Sequence, residues 1–238
     1  MPQDTPRVRL KPRLKRLFDV IQSRAAHYDS VWDCCCDHGY LGMKLLRKHV
    51  VPRVEFVDCV PHLMEDLRIR LGEFNATQCG VTCADAGSIA LDPKRRHLVV
   101  LAGIGGELAA TIIDSIISRH QKQQIDFLLC PNTAQYYLRE FLIGKDFKLI
   151  EENFLKEKRW NYEILYVSYH NASIQTDISA IGQHWQPKNQ DHLDYLKKMA
   201  IHYGDQSKSC TSGKAKSTAA LYRAEIELMT LSLNGNKT

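Results

Sequence analysis

Five short apolar runs recur along the first 130 residues, at 30–35, 54–59, 80–84, 98–102 and 127–130. Each stops at an acid, a glycine loop or a proline. Runs this short and this apolar read as strands buried on both faces. Stretches with helical spacing lie between them. They carry Leu63, Met64, Leu67 and Leu71 after the second run, Ile112, Ile113, Ile116 and Ile117 after the fourth, and Leu138, Phe141 and Leu142 after the fifth. Five strand-then-helix units in a row predict an α/β fold, a parallel sheet with right-handed crossovers and helices on both faces.

The flanks follow other rules. Residues 12–25 place Leu14, Leu17, Phe18 and Ile21 on one helical face, with Pro12 in the first turn. Residues 147–155 and 162–169 are extended, with a short charged connection and no helix between them, which predicts an antiparallel hairpin at the sheet edge. Beyond His170 the chain turns polar. Helices are predicted over 190–204 and 215–232, with a Ser-, Gly- and Lys-rich loop over 205–213. The chain therefore divides into a sheet domain over 1–170 and a helical, coiled-coil-like appendage over 171–238.

Of the 238 residues, 44% are hydrophobic and 25% charged, as in ordinary soluble domains. No apolar run approaches the roughly 20 residues that span a bilayer, and the basic N-terminus has no apolar signal core. A cytoplasmic protein with no membrane partner is expected. The eight cysteines form no Cys-x-x-Cys pair, which predicts reduced thiols used as small hydrophobes and no metal site. The net charge is +5, and residues 1–16 hold six basic side chains against Asp4 alone. Such a run marks either nucleic-acid contact or a solvated tail.

Three of the predicted strands end in an acid: Asp33, Asp58 and Asp85. In open α/β sheets ligands lie at the carboxyl ends of strands. Carboxylates there accept from the amino group, ribose hydroxyls and adenine amino group of a nucleoside cofactor. A dinucleotide fingerprint needs Gly-x-Gly-x-x-Gly after the first strand. This chain has Cys34-Cys35-Cys36-Asp37-His38-Gly39 instead, with its glycine loop after the fourth strand. S-adenosylmethionine lacks phosphates and tolerates such a turn.

At these residues the chain resembles the TrmK-type tRNA adenine-N1 methyltransferases. Asp33-Cys34-Cys35-Cys36-Asp37-His38-Gly39-Tyr40-Leu41 is similar to that family's DxxxDHxYL element. Ala102-Gly103-Ile104-Gly105-Gly106 is similar to its AGxGG loop, and Pro131-Asn132 with Arg139-Glu140 to its PN and Arg-Glu elements. Tyr162-Glu163 and Leu10-Arg13-Leu14 complete the set. The resemblance implies a seven-stranded Rossmann-like sheet, S-adenosylmethionine as methyl donor and N1 of an adenosine in the tRNA D-arm region as acceptor. Cys35 stands where the family usually carries glycine, Cys130 where it carries glutamine, and Gly42 where it carries proline. These departures beside the expected acceptor site leave two other readings open. One is a methyltransferase with another RNA or small-molecule acceptor, and the other is a non-catalytic RNA-binding relative.

For the cofactor, the expected contacts are Arg13, Asp33, Cys34, Cys35, Asp58 and Cys59, then Asp85, Ala86, Ala102, Gly103, Gly105 and Gly106. For the base they are Asp37, His38, Tyr40 and Asn132. Asp37 either stabilises the cationic purine or caps the following helix. His38 either bonds the base or is structural, and Tyr40 either stacks on the base or packs. Asn132 either reads an adenine edge or makes a turn. Arg7, Arg9, Lys15, Lys197, Lys198 and Lys214 are candidate RNA contacts. The chain is expected to act as a monomer or weak dimer.

Overall fold

A computed structural model describes residues 9–73, 76–209 and 213–234. In chain order the elements are α1 (Pro12–Ser23), β1 (Ser30–Cys34), α2 (Tyr40–Arg47), β2 (Val54–Asp58), α3 (Pro61–Glu73), β3 (Cys79–Cys83) and β4 (His97–Ala102). There follow α4 (Gly106–Arg119), β5 (Ile125–Cys130), α5 (Gln135–Gly144), β6 (Lys148–Glu157), β7 (Trp160–Tyr169), α6 (Gln190–Ser209) and α7 (Gly213–Asn234).

The strands form one seven-stranded sheet in the order β3-β2-β1-β4-β5-β7-β6. β1 to β5 pair in parallel, while β7 runs antiparallel to both β5 and β6. This is the Rossmann-like sheet with an edge hairpin that the sequence predicts. Alternation along the central strands feeds two cores. Val99, Leu101, Phe127 and Leu129 face α4 and α5, while Leu98, Val100, Leu128 and Cys130 face α1, α2 and α3. Strands covered on both faces must be apolar at every position, which is why they read as unbroken runs. The strand order reverses between β1 and β4, so the turns after these two strands flank one crevice.

Two local expectations give way. No α-helix follows β3, whose only successor before β4 is a 3-10 turn at Ala86–Ser88. And α6 continues through Ser209, across most of the predicted loop at 205–213. A third apolar cluster joins these helices to the sheet unit. Tyr195, Leu196, Ala200, Tyr222 and Met229 pack with Tyr136 of α5, Trp185 and Phe154 of β6.

Gly42 is a packing residue. It sits in α2 where a Cβ would overlap the buried ring of Phe56 on β2. Helix propensity alone favours alanine over glycine by about 1 kcal/mol, but a rigid buried ring cannot yield cheaply. Gly42→Ala is expected to lower unfolding free energy by about 1–3 kcal/mol in chemical denaturation. A gain in stability would show that α2 has room to move off the sheet.

Candidate active site

The turn after β1 is built from left-handed backbone. Cys35, Asp37 and Gly39 have φ of 53°, 52° and 66°. Glycine adopts this conformation freely, whereas an L side chain costs about 1–2 kcal/mol. Cys35, at the family's glycine position, therefore sits where glycine suits the backbone as well as close ligand approach. Asp33 holds the turn closed. Its Oδ2 accepts the Gly42 backbone N–H at 2.9 Å in a buried bond, so a strand residue caps α2 from outside the helix. Asp58 on β2 also holds the turn, accepting the Asp37 N–H at 2.9 Å, and it accepts the Val60 N–H at 3.1 Å. Asp85 accepts from Gly87 N at 2.8 Å. β1, β2 and β3 are neighbours in the sheet and run parallel, so Asp33, Asp58 and Asp85 lie side by side at one end of it.

Burial is the main force on Asp33. It outweighs the Gly42 hydrogen bond and, with the nearby Asp58 charge, pushes the carboxyl up to about 7. Burial likewise pushes Cys35 up to about 12 and raises Cys34 and Cys36, so the triple cysteine remains as thiols. The Cys34 side chain points into the core, leaving only its backbone to a ligand, and Ala86 is also buried. Cys59 is exposed at the end of β2.

The second half of the site is the glycine loop after β4, zipped to the loop after β5. Gly103 N donates to Cys130 O at 3.1 Å, Asn132 N to Ile104 O at 2.8 Å and Gly106 N to Thr133 O at 2.9 Å. Gly105 bridges Thr133. A Cβ on Gly106 would strike the Ala134 carbonyl, so bare backbone is required. Asn132 spans the two loops, donating Nδ2 to Gly103 O at 2.6 Å and accepting from Arg13 Nη1 at 2.8 Å. One amide N–H and one carbonyl lone pair remain on it. Gly103 (φ 92°) and the half-buried Ala102 face this junction.

Burial narrows the structural alternatives for the turn side chains. Asp37 caps nothing: the N-cap of α2 is Gly39, with no side-chain bond. The Asp37 carboxylate is 69% exposed and lies 3.6 Å from His38 Nε2. Tyr40 is 46% exposed and not core, and its ring sits 5.6 Å from His38. Two of the family departures prove to be packing features. Gly42 supplies the N–H that Asp33 needs, which proline cannot, and Cys130 is fully buried among core residues.

The candidate RNA contacts separate. Arg7 lies outside the described residues. Arg9, Lys197 and Lys198 are exposed. Lys15 and Lys214 are already matched by carboxylates, Asp19 at 2.7 Å and Glu140 respectively, which weakens both as RNA contacts. A cavity of about 1180 Å³ opens at the other end of the sheet, lined by residues such as Arg96, His97 and Asp126. None of the three strand-end acids lines it. Among the described residues no helix is long and apolar enough to cross a membrane, and no His, Cys, Asp and Glu cluster is placed to hold a metal.

Sequence reasoning missed two positioning features. The Arg13 guanidinium lies 5.2 Å from the Tyr162 ring, and the Arg13 backbone N–H reaches Glu157. Arg139, one of the motif residues, is fully buried and pairs with Glu163 at 2.7 Å and Glu152 at 2.9 Å. An arginine beside Leu138 and Leu142 on an apolar helix face was the available signal.

A Rossmann-like sheet with acids at three strand ends beside a glycine loop defines the methyltransferase class. Residues 10–165 match the family model of the methyltransferase domain, and the chain belongs to that family. Its fold is shared with the B. subtilis M1A22 tRNA methyltransferase TrmK (TM-score 0.68, 18% identity, 94% of this chain and 98% of that one). It is also shared with M. capricolum TrmK in complex with S-adenosyl-homocysteine (0.70, 16%, 92% and 99%). A Streptococcus pneumoniae protein in complex with S-adenosyl-L-methionine is similar too (0.72, 17%, 92% and 100%). No curated protein matches the chain in sequence.

Burial of Asp33 has a measurable signature. Its folded value of about 7 lies above the unfolded 3.8. The stability that its proton confers is complete below pH 3.8 and is lost as pH rises through 7. Asp33→Asn is therefore expected to match wild type near pH 4 and to exceed it at pH 8, by on the order of 1–4 kcal/mol. Equal melting temperatures at both pH values would place Asp33 in water.

Proposed function

We propose that this chain transfers a methyl group from S-adenosylmethionine to N1 of an adenosine in tRNA, in the cytoplasm. The observation that carries this is the convergence of Asp33, Asp58 and Asp85 beside the exposed Asp37, His38 and Tyr40. That arrangement sits in a fold matched along more than nine-tenths of the chain by TrmK structures.

The residues present fit the cofactor. Asp33 Oδ1 and Asp85 Oδ2 have no partner among the described residues, and each Asp58 oxygen keeps a lone pair beyond its backbone bond. The set accepts from amino and hydroxyl groups and repels phosphates. When bound, the cofactor supplies an electrophilic methyl group on a sulfonium. The bare backbone at Gly103, Gly105 and Gly106 admits a flat base close to it.

Adenine N1 has an in-plane lone pair, so the chemistry requires placement more than a strong base. Tyr40 offers a face for stacking, and Asn132 offers its remaining N–H and lone pair to the adenine edge. The purine gains positive charge as it reacts, and the Asp37 carboxylate is the one the turn presents to it. The target base must leave its stack to reach the turn. Arg9, Lys197 and Lys198, exposed and without a carboxylate partner among the described residues, hold the RNA backbone meanwhile.

Two observations favour this reading over the others. The positions that suggested a different acceptor, Gly42 and Cys130, are buried. Cys35, which suggested loss of cofactor binding, keeps the left-handed turn.

Labelled S-adenosylmethionine and unmodified tRNA, digested to nucleosides after incubation, should give label in 1-methyladenosine. Asp33→Ala should abolish cofactor binding by calorimetry. Asp37→Ala should keep it and lose at least about tenfold in turnover. Label in no adenosine derivative would refute the assignment, and equal loss of cofactor binding in both variants would refute the division of roles.

A further inference from the structure

We propose that the tip of the β6–β7 hairpin is a stacking platform for the RNA strand that flanks the methylated base, an inference that rests on the tRNA reading above. β7 pairs with β5 only as far as Leu165 opposite Leu129. The preceding residues, Trp160 to Ile164, pair with β6 alone. At about 3.3 Å per residue the hairpin runs roughly 13 Å past the carboxyl end of β5. That end leads into Pro131 and Asn132, so the tip stands over the site.

Arg13 ties the tip to the site. Its guanidinium bonds Asn132 at 2.8 Å and lies 5.2 Å from the Tyr162 ring, while its backbone N–H reaches Glu157 at 3.4 Å. Lys158 and Arg159 make the two-residue turn. Lys158 has φ 56°, a conformation that hairpin turns usually give to glycine or asparagine. Here it presents a cation instead. Both side chains are exposed and have no carboxylate partner among the described residues, whereas Glu157 faces Arg13 and Lys156 pairs with Asp191. Trp160 is 56% exposed, with the Arg159 guanidinium 5.1 Å from its ring.

An indole that joins no core, flanked by unmatched cations, suits one chemistry above others. Single-stranded nucleic acid presents a base face to the ring and phosphates to the cations. Drawing an adenine out of folded RNA unstacks its neighbours, and the platform gives one of them a new surface. The tip therefore positions RNA and takes no part in methyl transfer.

The test uses the full chain with Trp160→Ala, Trp160→Phe and Lys158→Gly. Dissociation constants for unmodified tRNA come from filter binding, cofactor affinity from calorimetry, and KM and kcat from methyl transfer. Trp160→Ala should weaken tRNA binding and raise KM about tenfold, with kcat within about twofold and cofactor affinity unchanged. Trp160→Phe should restore binding. Lys158→Gly should raise the melting temperature yet weaken tRNA binding several-fold, which separates recognition from folding. Wild-type tRNA affinity in Trp160→Ala, in a chain whose wild type methylates tRNA, would overturn the platform alone. A wild type that binds cofactor but neither binds nor methylates tRNA would overturn the tRNA reading and the platform with it.

Discussion

The buried bond from the Asp33 carboxylate to the Gly42 N–H is the contact on which the turn after β1 depends. It draws the start of α2 back onto the end of β1. The residues between must then pass through a tight loop with left-handed backbone at Cys35, Asp37 and Gly39. Cys35 and Cys36 turn their side chains toward the cores, while Asp37, His38 and the first helical residue, Tyr40, are exposed. Keeping a carboxylate in this place is costly, since burial drives it toward its neutral form. A fold selected for stability alone would use asparagine or serine here. A carboxylate is worth that cost where a charged amino group arrives beside it.

A second buried charge fixes what surrounds the site. Arg139 on α5 is closed off from solvent by Glu163 of β7, Glu152 of β6 and the Ser179 carbonyl. Glu163 also accepts from Tyr195 at the root of α6, and Glu152 accepts from Gln183 N, with His184 Nδ1 2.9 Å away. Burial alone would raise the Glu152 carboxyl. The close approach of His184 and the Arg139 charge outweigh it and hold Glu152 at about 2. Removing one member of such a cluster leaves an uncompensated charge in the interior. The network thus sets the edge hairpin and the root of the helical arm in one relation to α5, whose preceding loop carries Asn132. Motif residues 24 positions apart in sequence prove to be one ion pair.

Much of this was legible in the sequence, for physical reasons. Strands covered on both faces are apolar throughout, so β1, β2, β4 and β5 stood out. Acids and glycines at their ends marked the turns. The helix expected after β3 did not form, because Asp85 closes a 3-10 turn over Ala86–Ser88 instead. The length of α6 was hidden because its last turns are largely exposed, and polar exposed helix reads like loop. The constraint on Gly42 was invisible because it comes from Phe56 on another strand. Asp37 left two roles open in the sequence, and only the helix cap at Gly39 separated them. Interactions between residues far apart in the chain are what composition and periodicity leave out.

Together these contacts place three strand-end acids, an outward-facing turn, and an arm and hairpin beside them, and the proposed reading makes the acids acceptors for a nucleoside cofactor and the turn the seat of a base. Nucleoside mass spectrometry of total tRNA from cells lacking this protein, with wild type or Asp37→Ala restored, tests that account most directly. It predicts that 1-methyladenosine is lost from at least one tRNA, returns with the wild type and stays absent with Asp37→Ala. An unchanged content of 1-methyladenosine in the cells lacking the protein would contradict it.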